Sequence, residues 1–118
     1  MKYTTKDSGI RQEYDSGMCR DVQGQDKPRF DLLFPKHMPY EEQPLTRLAA
    51  LLSRGVEKYG ERNWELANST EELERFKASA SRHLIQWICD EQDEDHGAAV
   101  MFNIMAAMYV EWKMRTDG

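Results

Sequence analysis

The sequence predicts an all-α fold of three principal helices plus short ones. Apolar residues recur at helical spacing in two long segments, and a third segment is apolar nearly all round. No stretch alternates apolar and polar residues convincingly, as a half-buried strand would. The 118 residues are 31% charged and 40% hydrophobic, which suits one soluble domain with a real core. The expected division is a partly mobile N-terminal arm over 1–28 and a single helical domain over 29–118.

The arm is polar, carries Gly9, Gly17 and Gly24, and shows no sustained period. Arg29 to Pro35 is a short apolar segment, expected to pack irregularly on the core. Pro39 and Pro44 follow, with Pro44 near a first helical position. Leu45, Leu48, Ala49, Leu52 and Val56 then mark a helix that Gly60 stops in a left-handed conformation. After a loop over 61–69, Ser69 or Thr70 caps the next helix, with Glu71 and Glu72 in its first turn. Leu73, Phe76, Ala80, Leu84 and Trp87 trace its face to about Cys89. The last helix runs from about Glu94 to Met114. Because it is so apolar, two other helices do not cover it, and a homo-oligomer, dimer or tetramer, is expected. There is no internal repeat or low-complexity tract.

Net charge is −5, from 21 acids against 16 bases. Asp90, Glu91, Asp93, Glu94 and Asp95 put five of those acids within six residues, and the rest of the chain is balanced. Duplex nucleic acid needs concentrated positive charge, so it is not an expected partner. The apolar run from Gly97 to Val110 spans 14 residues and is too short for a bilayer. The N-terminus lacks the apolar core of a signal peptide. Cys19 and Cys89 lie 70 residues apart without metal-ligand spacing. They read as reduced thiols in a cytoplasmic protein, of its own cell or a host, with one long-range disulfide as the lesser alternative.

The acidic cluster falls at a helix junction. Glu91 lies about two turns beyond His83, and Asn103 is seven residues after His96, nearly in line with it. Two antiparallel helices joined here converge His83, Glu91, Asp95, His96 and Asn103, an oxygen-rich set of the kind hard divalent cations take. The competing reading is a solvated acidic face at a helix N-terminus, with Asp93 as its cap. The absence of any Lys or Arg between Arg82 and Lys113 favours the cation. Asn103 in an apolar helix needs a partner, and a satisfied core amide explains it equally well. For His83, a structural hydrogen bond stands beside a site role.

Several chemistries are excluded by motif. His37, His83 and His96 are the only histidines, no His-Asp dipeptide occurs, and neither HExxH nor a glycine-rich phosphate loop is present. Lys58-Tyr-Gly-Glu-Arg-Asn-Trp64 instead packs two cations, two aromatics and an amide into one loop. Cations match phosphate, an aromatic stacks on a base, and Asn reads a base edge. The same residues also suit a helix end, with Trp64 anchoring the loop in the core. Lys27 and Arg29 in the arm are further candidates for a bound phosphate.

Ser-Gly-Met-Cys-Arg-Asp (16–21), Lys-Pro-Arg-Phe-Asp-Leu-Leu (27–33), Lys-Tyr-Gly-Glu-Arg-Asn-Trp (58–64), Arg-Phe-Lys-Ala-Ser-Ala-Ser-Arg-His (75–83) and Asp-Glu-Asp-His-Gly-Ala-Ala-Val-Met-Phe-Asn (93–103) occur in that order. Together they resemble the phage and prophage family named for the N-terminal domain of dATP/dGTP diphosphohydrolase, a relative of the MazG-type pyrophosphohydrolases. The resemblance spans about 16–110. It implies a MazG-like bundle of about three to four helices and hydrolysis of purine deoxynucleoside triphosphates to monophosphate and pyrophosphate. It also implies Mg²⁺ or Mn²⁺ held by helix carboxylates. Carried onto this chain, Glu91 and Asp95 become the main metal ligands, with Glu94 or Asp93 as a further ligand or base. Glu91, Glu94 and His83 are the implied catalytic groups. Lys58, Arg62, Asn63, Trp64 and Asn103, with Lys27 and Arg29, are implied to hold the nucleotide.

The MazG pattern EExxE followed by ExxD is absent. Its nearest matches are Glu71-Glu72-Leu-Glu74 and the Glu91/Glu94 pair. Two alternatives therefore stand beside hydrolysis: a non-catalytic helical module that binds a nucleotide or a protein, and a structural oligomer whose acids are solvated.

Overall fold

The computed structural model describes residues 3–5, 7–21 and 27–117. It divides into two compact units, 1–32 and 33–118. The chain is mostly helical, in keeping with the all-α expectation, with one small sheet among the described residues.

That sheet lies in the first unit. Strands β1 (Arg11–Glu13) and β2 (Cys19–Asp21) pair antiparallel, with Gln12 opposite Arg20. The connecting turn closes through Gly17 N–H to the Tyr14 carbonyl at 2.8 Å, and Gly17 takes φ +91°, a conformation that favours glycine. The sequence reading gave no strand here. Each strand is three residues long and β1 is exposed throughout, so no face is buried and no alternation marks it. Gly24 lies outside the described residues.

In the second unit, 3-10 turns at Tyr40–Glu42 and Asn63–Leu66 flank helix α1 (Pro44–Tyr59). Pro44 occupies the first turn of α1, as expected. Gly60 ends it, donating to the Val56 carbonyl at 2.8 Å. Its φ of 84° and ψ of 164° lie in an extended, glycine-only region rather than the left-handed helical one. Helix α2 (Thr70–Ile88) starts from a capping box. The Glu72 N–H donates to Ser69 Oγ at 3.2 Å, and the Glu72 carboxylate accepts from Ser69 Oγ and Asn68 N–H. Those bonds, Asn68 first, hold the Glu72 carboxyl below its usual range.

Helix α2 ends in a Schellman motif. The Glu91 N–H donates to the Gln86 carbonyl and the Asp90 N–H to that of Trp87, both at 3.0 Å. Asp90 holds the left-handed position at φ 59°. Helix α3 (His96–Asp117) follows and runs back along α2. Its cap is Asp95, whose Oδ1 accepts the Ala98 N–H at 3.1 Å, rather than the expected Asp93.

The buried apolar residues are mainly small: Ala67, Leu73, Ala98, Ala99, Ala106, Ala107 and Val110. Alanines let α2 and α3 approach closely, while Ile85, Ile88, Ile104, Met108 and Trp112 stay largely exposed. No helix among the described residues is long and apolar enough to cross a membrane.

Candidate functional site

Helix α1, the 61–64 loop, α2 and the start of α3 enclose an open cleft of about 1120 Å³. Three features build it. The loop is fixed by Lys113, whose ammonium donates to the Glu65 carbonyl at 2.7 Å and the Ala67 carbonyl at 2.9 Å. Aromatic edges line one part of it. Phe102 meets Trp64 at 5.8 Å and Phe76 at 6.2 Å between centroids, in T-shaped contacts. The turn between α2 and α3 supplies Gln92, Asp93, Glu94 and Asp95 to another wall.

A buried polar chain backs the acidic wall. His96 is only 2% exposed, and its Nε2 lies 2.7 Å from Asp93 Oδ1. A carboxylate only accepts, so Nε2 carries the proton. His96 Nδ1 lies 2.9 Å from His83 Nδ1, and one proton must be shared between them. Burial, then the charge of Arg82, pushes the His83 pKa down. The consistent arrangement is Arg82 Nη2 to His83 Nε2, His83 Nδ1 to His96 Nδ1, and His96 Nε2 to Asp93. His96 in turn draws the Asp93 carboxyl below its ordinary range.

The acidic turn also has a cation that the sequence reading did not supply. Arg47 reaches from α1, with Nε 2.9 Å from Asp95 Oδ2 and Nη2 2.6 Å from Oδ1. This fork holds the Asp95 carboxyl below its usual range and raises the Arg47 guanidinium. With the Ala98 cap, both Asp95 oxygens are engaged. In this structure Asp95, expected among the metal ligands, ties α1 to the start of α3.

Metal-ligand atoms converge twice. Those of His83, Glu94 and His96 lie within 4.8 Å of one another, and so do those of Glu91, Asp93 and His96. Because both His96 nitrogens are engaged, the donors left open are the exposed Glu94 carboxylate in the first group and, in the second, the exposed Glu91 carboxylate and the other oxygen of Asp93. Carboxylate oxygens such as the Glu91–Asp93 pair suit a hard divalent cation. Glu91 sits 4.0 Å from His96 Nε2 and is not part of the cleft lining.

The remaining candidates are distributed unevenly. Arg62, Asn63 and Trp64 line the cleft, with Arg62 paired to Glu65 at 2.6 Å. Asn103 lines it too, its Nδ2 donating to the Ala99 carbonyl at 2.8 Å, so this amide is satisfied on its own helix. Lys58 lies outside the lining, its ammonium 5.1 Å from the Tyr59 ring centre. Contact with Tyr59 raises the Lys58 pKa, and the charge of Glu94 adds to it. Lys27 and Arg29 belong to the 1–32 unit, where Arg29 grips Asp31 at 2.6 Å. Cys19 and Cys89 are free thiols. The sequence reading missed Arg47, Arg54, Phe76, Ser79 and Phe102 as parts of this site; only the two-turn spacing of Arg47 and Arg54 signals any of them.

The family model described as dATP/dGTP diphosphohydrolase, N-terminal, matches residues 20–117. Comparisons with curated proteins and with solved structures give no match.

Proposed function

The chain belongs to the family described as dATP/dGTP diphosphohydrolase, N-terminal, and on that premise we propose that it hydrolyses dATP or dGTP to the monophosphate and pyrophosphate. The observation that carries this reading is a single cleft that joins carboxylates, cations and aromatic edges. A triphosphate needs charge compensation at one end and a base needs a flat apolar surface at the other.

Glu91 and Asp93, whose carboxylates converge beside His96, are the proposed holders of a divalent cation, Mg²⁺ or Mn²⁺, with Glu94 on the His83 side of His96. When bound, the ion supplies charge neutralisation on the phosphates and a more acidic water. Glu94, on the cleft wall, takes the proton of the attacking water onto a carboxylate oxygen. The new bond is water oxygen to α-phosphorus, and the broken one joins α-phosphorus to the bridging oxygen of the leaving pyrophosphate. His83, held by His96, keeps the polar wall in register. Arg62 and Asn63 bind the nucleotide, and Trp64 and Phe102 face its base.

Two further readings belong with this one. Free thiols at Cys19 and Cys89 support a reducing, cytoplasmic setting. Uncovered apolar side chains on α2 and α3 support a homo-oligomer. The commitment of Asp95 to Arg47 favours a second functional reading, a module that binds the nucleotide without cleaving it. Turnover assays with dATP and dGTP in Mg²⁺ or Mn²⁺ separate the two. Pyrophosphate release that collapses in Glu91→Gln and Glu94→Gln supports hydrolysis, whereas nucleotide-induced thermal stabilisation without release supports the binding module.

A further inference from the structure

Helix α1 presents a row of cations. Arg47, Arg54 and Lys58 follow at spacings of seven and four, which places them along one side of the helix. Arg47 is held by Asp95, and Lys58 lies over Tyr59. Arg54 differs from both. Among the described residues it makes no hydrogen bond or ion pair, yet it lines the cleft with Asp93, Glu94 and Asp95. It lies two turns along α1 from Arg47, on the side of the helix that meets Asp95.

An exposed guanidinium that leaves nearby carboxylates unpaired keeps its whole donor fork open. That fork matches the paired non-bridging oxygens of a phosphate. Asp95, on that side of α1, is already closed by Arg47. The Arg47–Asp95 fork therefore leaves Arg54 as the open cation on the α1 wall.

We propose that Arg54 is a phosphate-binding residue of the cleft, taking the non-bridging oxygens of a polyphosphate chain, whether of a nucleotide or free. It rests on the triphosphate reading of the cleft given above. The aromatic edges formed by Trp64, Phe76 and Phe102 leave the base at the other part, so Arg54 meets the phosphates remote from the sugar.

The test is calorimetric titration of the whole chain with inorganic tripolyphosphate in Mg²⁺, a probe with neither base nor sugar. Arg54→Gln is expected to weaken binding on the order of ten- to a hundredfold, the loss of a charge-assisted pair. Arg54→Lys, which keeps the charge but not the fork, is expected to fall between Arg54→Gln and wild type. Arg115→Gln, in the last turn of α3, is expected to bind like wild type. Unchanged melting temperatures show that the variants are folded, since Arg54 is exposed. Equal binding by Arg54→Gln and wild type overturns the proposal. So does an equal loss in Arg115→Gln, or no binding by wild type. Arg54-dependent binding in a protein that releases no pyrophosphate from dATP or dGTP keeps this assignment and defeats the hydrolase reading.

Discussion

Breaking the Arg47–Asp95 contact tests how the cleft is held open. Asp95 accepts two guanidinium hydrogen bonds, at 2.9 and 2.6 Å, and the Ala98 N–H at 3.1 Å. Asp95→Asn keeps an oxygen for the cap and loses the ionic fork. The Arg47 side chain is 42% exposed, so solvent screening sets that loss at about 1 kcal/mol. Asp95→Ala also removes the cap, which adds about 1 kcal/mol. Arg47→Met keeps the apolar stem and is expected to cost about 1 kcal/mol. Because the two residues act on each other, Arg47→Met/Asp95→Asn is expected to cost about 1 kcal/mol rather than the sum of the two. Urea unfolding of the four variants measures these differences. The fork lowers the Asp95 pKa in the folded state, so its stabilisation is present above the ordinary carboxylate value. The gap between wild type and Asp95→Asn is therefore constant from neutral pH down and closes as pH falls below about 4. Additive single variants would refute the pairing. Equal costs for Asp95→Asn and Asp95→Ala would refute the cap.

Other sites give independent expectations. Lys113→Met leaves the Glu65 and Ala67 carbonyls without their ammonium donor. It should lower stability by about 2 kcal/mol in urea unfolding and raise the Kd for nucleotide by loosening Arg62–Trp64. Asp90 holds a left-handed backbone position at φ 59°. Asp90→Gly should raise stability by up to about 1 kcal/mol, and a lower melting temperature would contradict the Schellman assignment. Light scattering at micromolar concentration should return the mass of a dimer or tetramer, and Ile104→Glu or Met108→Glu should reduce it. A monomer mass for wild type would leave the uncovered faces of α2 and α3 without the proposed partner.

The helices were legible because local chemistry marks them. Leu45 through Val56 keep one period, Pro44 and Gly60 bracket it, and Ser69 with Glu72 forms its own box. The site was legible only where its residues are close in sequence. Asp93 and His96 share a turn, so their meeting follows from spacing. His83 and His96 meet because α2 and α3 pack side by side at that height, a long-range register that spacing within either helix does not give. Arg47 reaches Asp95 across 48 residues, and its spacing from Arg54 marks a cationic side of α1 without saying which acid it meets. The apparent lack of a counter-charge around the acidic turn was a property of the sequence neighbourhood, not of the folded one. Asp93 and Asp95 are equally good capping residues by type, and the cap falls on Asp95.

The proposed reaction is cleavage between the α and β phosphates in this cleft. Turnover of dGTP and dATP in oxygen-labelled water, with Mg²⁺ or Mn²⁺ present and followed by phosphorus NMR, tests it most directly. The expected products are one pyrophosphate and one monophosphate per nucleotide, with the label in the monophosphate and the signal lost in Glu94→Gln. Label in the pyrophosphate, release of orthophosphate, or no turnover with either metal would contradict it.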